Sequence, residues 1–174
     1  MHTTISDIYN FRSIDDLIST SGQPSEAQVN ALAHAGCQTI INLALHDDPR
    51  YSLSDEAKLV HSLGMEYIHI PVQFNTPGAA ELQQFFQAME SHRSQRLHIH
   101  CAANMRVSAF VGLYFSIVSG KPPEQAFALM HSIWQPDPKW RDFIDTMLAS
   151  ETLKDHWFNG LDSTAAGAHK TPVN

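Results

Sequence analysis

Short apolar runs and apolar positions at helical spacing take turns along this chain. Ile8–Arg12 and Leu17–Thr20 read as short strands, the second ended by Ser21-Gly22-Gln23-Pro24. Ser25-x-x-Gln28 is a capping box that opens a helix with Val29, Leu32 and Ala33 on one face, and Gly36 stops it. Gln38–Leu45 is a β-rich buried run, followed by the polar loop His46–Arg50. Ser54 then caps a helix carrying Leu59, Val60 and Leu63, with Gly64 past its end. Met65–Ile70 is the next strand and Pro71–Pro77 the next loop. Leu82, Phe85, Phe86 and Met89 fall at i, i+3, i+4 and i+7, the spacing of an amphipathic helix. Arg96–His100 is a short strand ending at Cys101, and a helix apolar on almost every side runs on through Val118.

After Gly120, Pro122 starts a helix through Ala126, Leu129, Met130 and Ile133. Asp137 followed by Pro138 reads as N-cap and first helical residue of another, with Phe143, Ile144, Met147 and Leu148 on its face. Strand and helix patterns alternating in this way predict an α/β domain. Its sheet should be mostly parallel, with four to five strands and helices on its flanks. One domain is expected over 1–158, with a frayed polar tail over 159–174. Parallel sheets hold their ligand sites beyond the carboxyl ends of the strands. The loops His46–Arg50, Pro71–Pro77 and Cys101–Arg106 are expected to meet there.

Composition narrows the partners. Eleven Lys and Arg against eighteen Asp and Glu give a net charge of -7. That excludes a general grip on nucleic acid or an anionic membrane, both of which need a cationic surface. No apolar run reaches the length of a membrane span, and Met1–Arg12 lacks the basic start and apolar core of a signal peptide. The protein is therefore expected in the cytoplasm. Two cysteines, Cys37 and Cys101, make neither a disulfide framework nor a Cys-rich zinc site. No metal or other cofactor is expected. Cys37 reads as core, and His98 and His100, on one strand face, read as packing and loop-bracing residues rather than as metal ligands.

Candidate chemistry centres on His100-Cys101-Ala102-Ala103-Asn104-Met105-Arg106-Val107-Ser108. A strand delivers a cysteine, a tight loop follows, and a helix begins. The loop amides and the helix N-terminus can together hold an oxyanion, and the same field favours thiolate over thiol. Ala102, Ala103, Asn104, Met105 and Ser108 are the candidate anion contacts. The guanidinium of Arg106 can fork two oxygens of a tetrahedral anion, or can form a structural ion pair. A small anionic or phosphorylated molecule is the expected partner.

These residues resemble the active loop of the cysteine-dependent tyrosine and dual-specificity phosphatases, His-Cys-x5-Arg-Ser/Thr. The wider chain resembles the bacterial phosphatase-like family DUF442, also called beta-lactamase-hydrolase-like. The resemblance rests on Ser21–Ser25, Gly36–Leu43, Tyr67–Val72 and His100-Cys101. It implies the cysteine phosphatase fold and phosphomonoester hydrolysis through a cysteinyl-phosphate on Cys101, with His100 bracing the loop. Two features depart from that pattern. Arg106 stands five residues after Cys101 rather than six, and Asn104 takes the place of a glycine. The loop Pro71–Pro77 also has no carboxylate where dual-specificity phosphatases carry their acid. Asp48 is the substitute expected, with Asp47 beside it, while Asp137 reads better as a helix cap. His46 and His69 read as cleft rim or polar surface. A Cys-x4-Arg loop also resembles that of rhodanese sulfurtransferases, which leaves a persulfide on Cys101 as an alternative. A non-catalytic phosphate-binding or interaction protein is a third reading.

Overall fold

Five strands form one sheet in the order β1-β2-β5-β3-β4 in the computed structural model, which describes residues 4–159. The strands are β1 (Arg12–Ser13), β2 (Ile18–Ser21), β3 (Thr39–Asn42), β4 (Glu66–His69) and β5 (Leu97–His100). β1 runs antiparallel to β2, and every other pairing is parallel. The expected α/β architecture with a mostly parallel sheet is therefore observed. In register, Ser21 and Asn42 flank His100, so three strands end level with one another. Of the tail expected over 159–174, all but residue 159 lies outside the described residues.

The helices are α1 (Glu26–His34), α2 (Glu56–Ser62), α3 (Ala79–Ser91), α4 (Met105–Ile117), α5 (Pro123–Ala126), α6 (Ala128–His131), α7 (Pro138–Ala149) and α8 (Glu151–Lys154). The capping box at Ser25 and Gln28 forms as its spacing predicts, and Asp137 caps α7 by accepting from the Trp140 amide at 3.0 Å. α4 is the central helix. Eleven of its thirteen residues are buried, which accounts for its almost uniform apolar character. It packs with α3 and α7 through aromatic side chains. The Phe110 ring lies 5.7 Å from Phe85 and 6.0 Å from Phe143 between centroids.

Three local expectations change. Ile8–Arg12 is not a strand. The chain makes a 3-10 turn at Ile5–Asp7, and Asn10 takes a positive φ of 51°, leaving only Arg12 and Ser13 to pair. The N-cap of α2 is Asp55 rather than Ser54. Asp55 adopts a left-handed φ of 55° with no side-chain cap, and the next residue, Glu56, is buried. The helix expected after Pro122 is broken at Phe127 into α5 and α6. Phe127 seats its ring against Gly112 of α4, so closely that a Cβ at Gly112 would lie 2.3 Å from it. Packing on α4 thus outweighs helical continuity there.

Phe110 is wholly buried among these rings. Phe110→Ala is expected to cost about 3–5 kcal/mol of stability, the usual loss for a buried aromatic truncated to alanine. Chemical denaturation of the two proteins checks it.

Candidate active site

The strand ends come together around one carboxylate. Glu56, the first residue of α2, has a fully buried side chain. Its Oε1 lies 3.0 Å from His100 Nε2 and accepts from Gln23 Nε2 at 3.0 Å. Its Oε2 accepts from Asn42 Nδ2 and from the Tyr67 hydroxyl, both at 3.0 Å. These partners stand in or just past β5, β2, β3 and β4, so one charge ties together all four parallel strands. Burial alone would raise this carboxyl's pKa. The close approach of His100, with the bonds from Gln23 and Tyr67, outweighs it and holds the pKa down at about 2. The His100 N–H does not point along its short contact with Oε1, and His100 Nδ1 has no partner among the described residues.

The Cys101 loop is fastened to this frame from outside. Ala102 O accepts from the Gln23 amide at 3.2 Å, Ala103 O from Asn10 Nδ2 at 3.1 Å, and Asn104 O from the Ser108 amide at 3.1 Å. Three successive carbonyls are therefore claimed by protein donors. Asn104 N–H faces Ser21 O in an antiparallel bridge between Gly22 and Ala103, while the amides of Ala102, Ala103, Met105, Arg106 and Val107 have no backbone acceptor among the described residues. Asn104 supplies the reversal with a left-handed φ of 64°, and its side chain, instead of capping α4, donates to Asn10 O and Thr20 Oγ1. Asparagine tolerates that conformation better than most residues, which suits it to a position that the phosphatase loop gives to glycine. Gly22 is required for a different reason. A Cβ there would lie 2.7 Å from Ala102 O.

Arg106 is the second residue of α4 and is buried. Its Nη1 donates to Val72 O at 2.9 Å and, more weakly, to Leu43 O at 3.5 Å. These carbonyls lie in the segments after β4 and β3, so Arg106 ties the Cys101 loop to Pro71–Pro77 and to the chain leading into His46–Arg50. No carboxylate pairs with Arg106 among the described residues. The ion-pair alternative for this arginine is not what forms.

The other expected site residues are placed as follows. Cys101 follows the last residue of β5 and is buried. The Ser108 hydroxyl donates to Met105 O at 2.9 Å and accepts from Trp134 Nε1 at 3.1 Å, so its one proton is spent inside α4. Asp48 is gripped by Arg50 two residues on, with Nη2 to Oδ2 at 2.6 Å and Nε to Oδ1 at 3.0 Å. That hydrogen bonding holds its carboxyl below the ordinary carboxylate value, the opposite of what a proton donor needs. His98 lies between Ser19 Oγ at 2.9 Å and Ser21 Oγ at 2.8 Å, and burial pushes its pKa down to about 3, keeping it neutral. Burial pushes the Cys37 thiol up to about 11, in keeping with a core residue. Among the described residues, no group of three His, Cys, Asp or Glu side chains is arranged to hold a metal ion.

Reasoning from sequence missed Glu56, Gln23, Asn42 and Tyr67 as members of the site. The only signal was that Gln23, Asn42 and Tyr67 fall inside the motifs that carry the family resemblance.

Removing this buried carboxylate leaves Gln23, Asn42 and Tyr67 without their acceptor, so Glu56→Ala is expected to cost about 3–5 kcal/mol in denaturant titrations. The pH dependence has a definite sign. A carboxyl whose pKa falls from 4.5 unfolded to about 2 folded stabilises the protein above pH 4.5, and that contribution disappears as pH drops toward 2. Wild type should therefore lose more stability than Glu56→Gln between pH 5 and 2.

Comparison with known proteins accords with this geometry. The sequence profile of the family described as DSP-PTPase phosphatase fused to NAD+ Kinase matches residues 6–144. A solved DUF442 protein assigned as a phosphatase, from Shewanella putrefaciens CN-32, is 31% identical. The match covers 83% of this chain and 95% of that one, with a TM-score of 0.73. The core catalytic domain of the PP-IP phosphatase SIW14 from S. cerevisiae, solved with citrate, is 13% identical over 95% of this chain and 98% of that one, with a TM-score of 0.71. PTPMT1 is 18% identical over 90% and 98%, with a TM-score of 0.67. These last two likenesses concern the fold alone. No curated protein sequence matches the chain. With its sheet order, its cysteine at a strand-to-helix junction and a profile match over most of its length, the chain belongs to the DSP-PTPase family of cysteine-dependent phosphatase-like proteins.

Proposed function

We propose that the protein hydrolyses phosphomonoesters through a cysteinyl-phosphate on Cys101. The observation that carries this reading is the loop itself. Five of the six amides from Ala102 to Val107, all but that of Asn104, have no backbone acceptor among the described residues, while the carbonyls of Ala102, Ala103 and Asn104 are held by other groups. Such a nest at a helix N-terminus suits a tetrahedral dianion and spends no energy on reorganisation when charge develops. The Cys101 thiolate attacks phosphorus, the P–O bond to the leaving group breaks, and water then releases phosphate from sulfur. Arg106 is the clamp. Val72 O and Leu43 O hold Nη1 and orient the guanidinium plane, leaving Nε and Nη2 as the fork for two phosphoryl oxygens.

The expected substrate is a small phosphorylated molecule. Support comes from the relatives as well as from the loop. PTPMT1 has been solved with PI(5)P, and SIW14 is a phosphatase solved with citrate. Among the described residues no helix is long and apolar enough to cross a membrane.

Wild type is expected to turn over p-nitrophenyl phosphate, and Cys101→Ser to show only background. Arg106→Ala is expected to lose about 10²–10³-fold in kcat, the usual worth of one preorganised donor. It should also lose the rise in melting temperature that inorganic phosphate gives wild type. Turnover of thiosulfate with a persulfide on Cys101 would support the sulfurtransferase reading instead. Phosphate binding without turnover of any ester would leave only the binding-protein reading.

A further inference from the structure

The proposed cycle needs a group that gives a proton to the leaving alcohol and takes one from the attacking water. The loop 71–77 offers no carboxylate, Arg50 occupies Asp48, and Asp137 is committed to capping α7. We infer that His46 is this proton-transfer residue, an inference that rests on the proposed phosphatase reading.

Placement is the first argument. His46 lies four residues past Asn42, on the loop beyond the carboxyl end of β3, the strand next to β5. That loop begins at Leu43, whose carbonyl receives Arg106 Nη1. His46 also shares Glu56 with His100, the residue before Cys101. His46 Nε2 is 3.9 Å from one carboxylate oxygen, and His100 Nε2 is 3.0 Å from the other. Unlike His98 and His100, His46 reaches solvent, with 38% of its side chain exposed.

The second argument is how the ring is held. Its plane stacks on His69 with centroids 4.3 Å apart, and His69 is itself fixed by a 2.7 Å bond from Nε2 to Ala44 O. Nε2 of His46 faces inward. It lies 3.3 Å from the Tyr67 oxygen, whose hydroxyl donates to Glu56 Oε2 at 3.0 Å. Asn42 Nδ2 also lies 3.1 Å from His46 Nε2, but its two protons have closer acceptors in Glu56 Oε2 and the Tyr67 oxygen, both at 3.0 Å. Nε2–H can then be donated to Tyr67, assigning the proton to that nitrogen and leaving Nδ1 as the outward, reactive one. A buried carboxylate thus orients an exposed imidazole through one intervening hydroxyl, the second-shell logic by which enzymes fix a general acid or base.

In the first half of the cycle, sulfur bonds to phosphorus and the ester P–O bond breaks. The Nδ1 proton of the imidazolium passes to the departing oxygen, giving the alcohol and neutral imidazole. In the second half, water attacks phosphorus and its proton goes to Nδ1. The P–S bond breaks, its electron pair returns to Cys101, and phosphate leaves with the imidazolium restored.

The groups facing the ring are His69 and Tyr67 from β4, Glu56 from α2 and His100 from β5. Burial holds the imidazole below its ordinary 6.5, His69 and His100 push the same way, and Glu56 opposes them. Imidazolium is then the minor form at neutral pH. Turnover of esters with poor leaving groups should accordingly increase as the medium becomes more acidic than pH 6.5.

The test compares leaving groups. Pre-steady-state and steady-state kinetics of wild type, His46→Asn and His46→Gln are measured on p-nitrophenyl phosphate, whose leaving group needs no proton, and on glycerol 2-phosphate, whose leaving group does. In the pre-steady-state burst of p-nitrophenolate, the half of the cycle that needs no proton donor, both variants are expected to match wild type within a few-fold. On the alkyl ester they should lose about 10²–10⁴-fold, the usual worth of general acid–base catalysis, together with the rise toward acid pH. Loss of that burst in parallel with the alkyl-ester turnover would mark a structural role and overturn the inference, as would no change on the alkyl ester. Absence of any Cys101-dependent turnover by wild type would overturn the phosphatase reading itself, an outcome distinct from the other two.

Discussion

A carboxylate with no exposure to water, placed where four parallel strands end, is the constraint on which this site depends. Taking Glu56 out of solvent is expensive, and a buried charge survives only if its lone pairs are satisfied. Here Gln23, Asn42 and Tyr67 satisfy them, with His100 close by at 3.0 Å, and the four come from four different strands or strand ends. Each partner is thereby fixed relative to the rest. The side chain immediately before Cys101 and the backbone that holds Ala102 are both fixed by this one group.

The reactive loop follows from that frame. Its carbonyls are drawn outward by Gln23, Asn10 and Ser108, and a peptide unit whose oxygen is held on one side presents its N–H on the other. Close approach of Gly22, the left-handed turn at Asn104 and the inward lie of Arg106 are consequences of packing this loop against β2 and the loops after β3 and β4. In a loop one residue shorter than the usual phosphatase signature, Arg106 still turns toward the segments after β3 and β4. It does so because the guanidinium is anchored on Val72 and Leu43 carbonyls rather than on a neighbouring carboxylate.

Features that depend on local pattern were legible in the sequence. The change of apolar period marked β3, β4, β5, α3 and α4, and local side-chain chemistry marked the caps at Ser25 and Asp137. The position of Cys101 between a buried strand and a buried helix was equally plain. What escaped was set by contacts between residues far apart in the chain. Glu56 looks like any first-turn helix acid until His100, 44 residues later, is brought against it. Tyr9 and Asn10 read as strand because nothing local shows that Asn10 must turn to reach Ala103 and Asn104. The break at Phe127 is equally invisible without Gly112 across from it. Asp48 was chosen for its neighbourhood, and no local rule foretold that Arg50 would fold back upon it.

The central claim is that phosphorus becomes bonded to the Cys101 sulfur during turnover. Rapid quenching of wild type during hydrolysis of an aryl phosphate, followed by peptide mass spectrometry, tests this most directly. The account predicts one phosphoryl group on the peptide that contains Cys101, and none on the same peptide from Cys101→Ser. Steady turnover with the phosphoryl group on another residue, or on none, would contradict it.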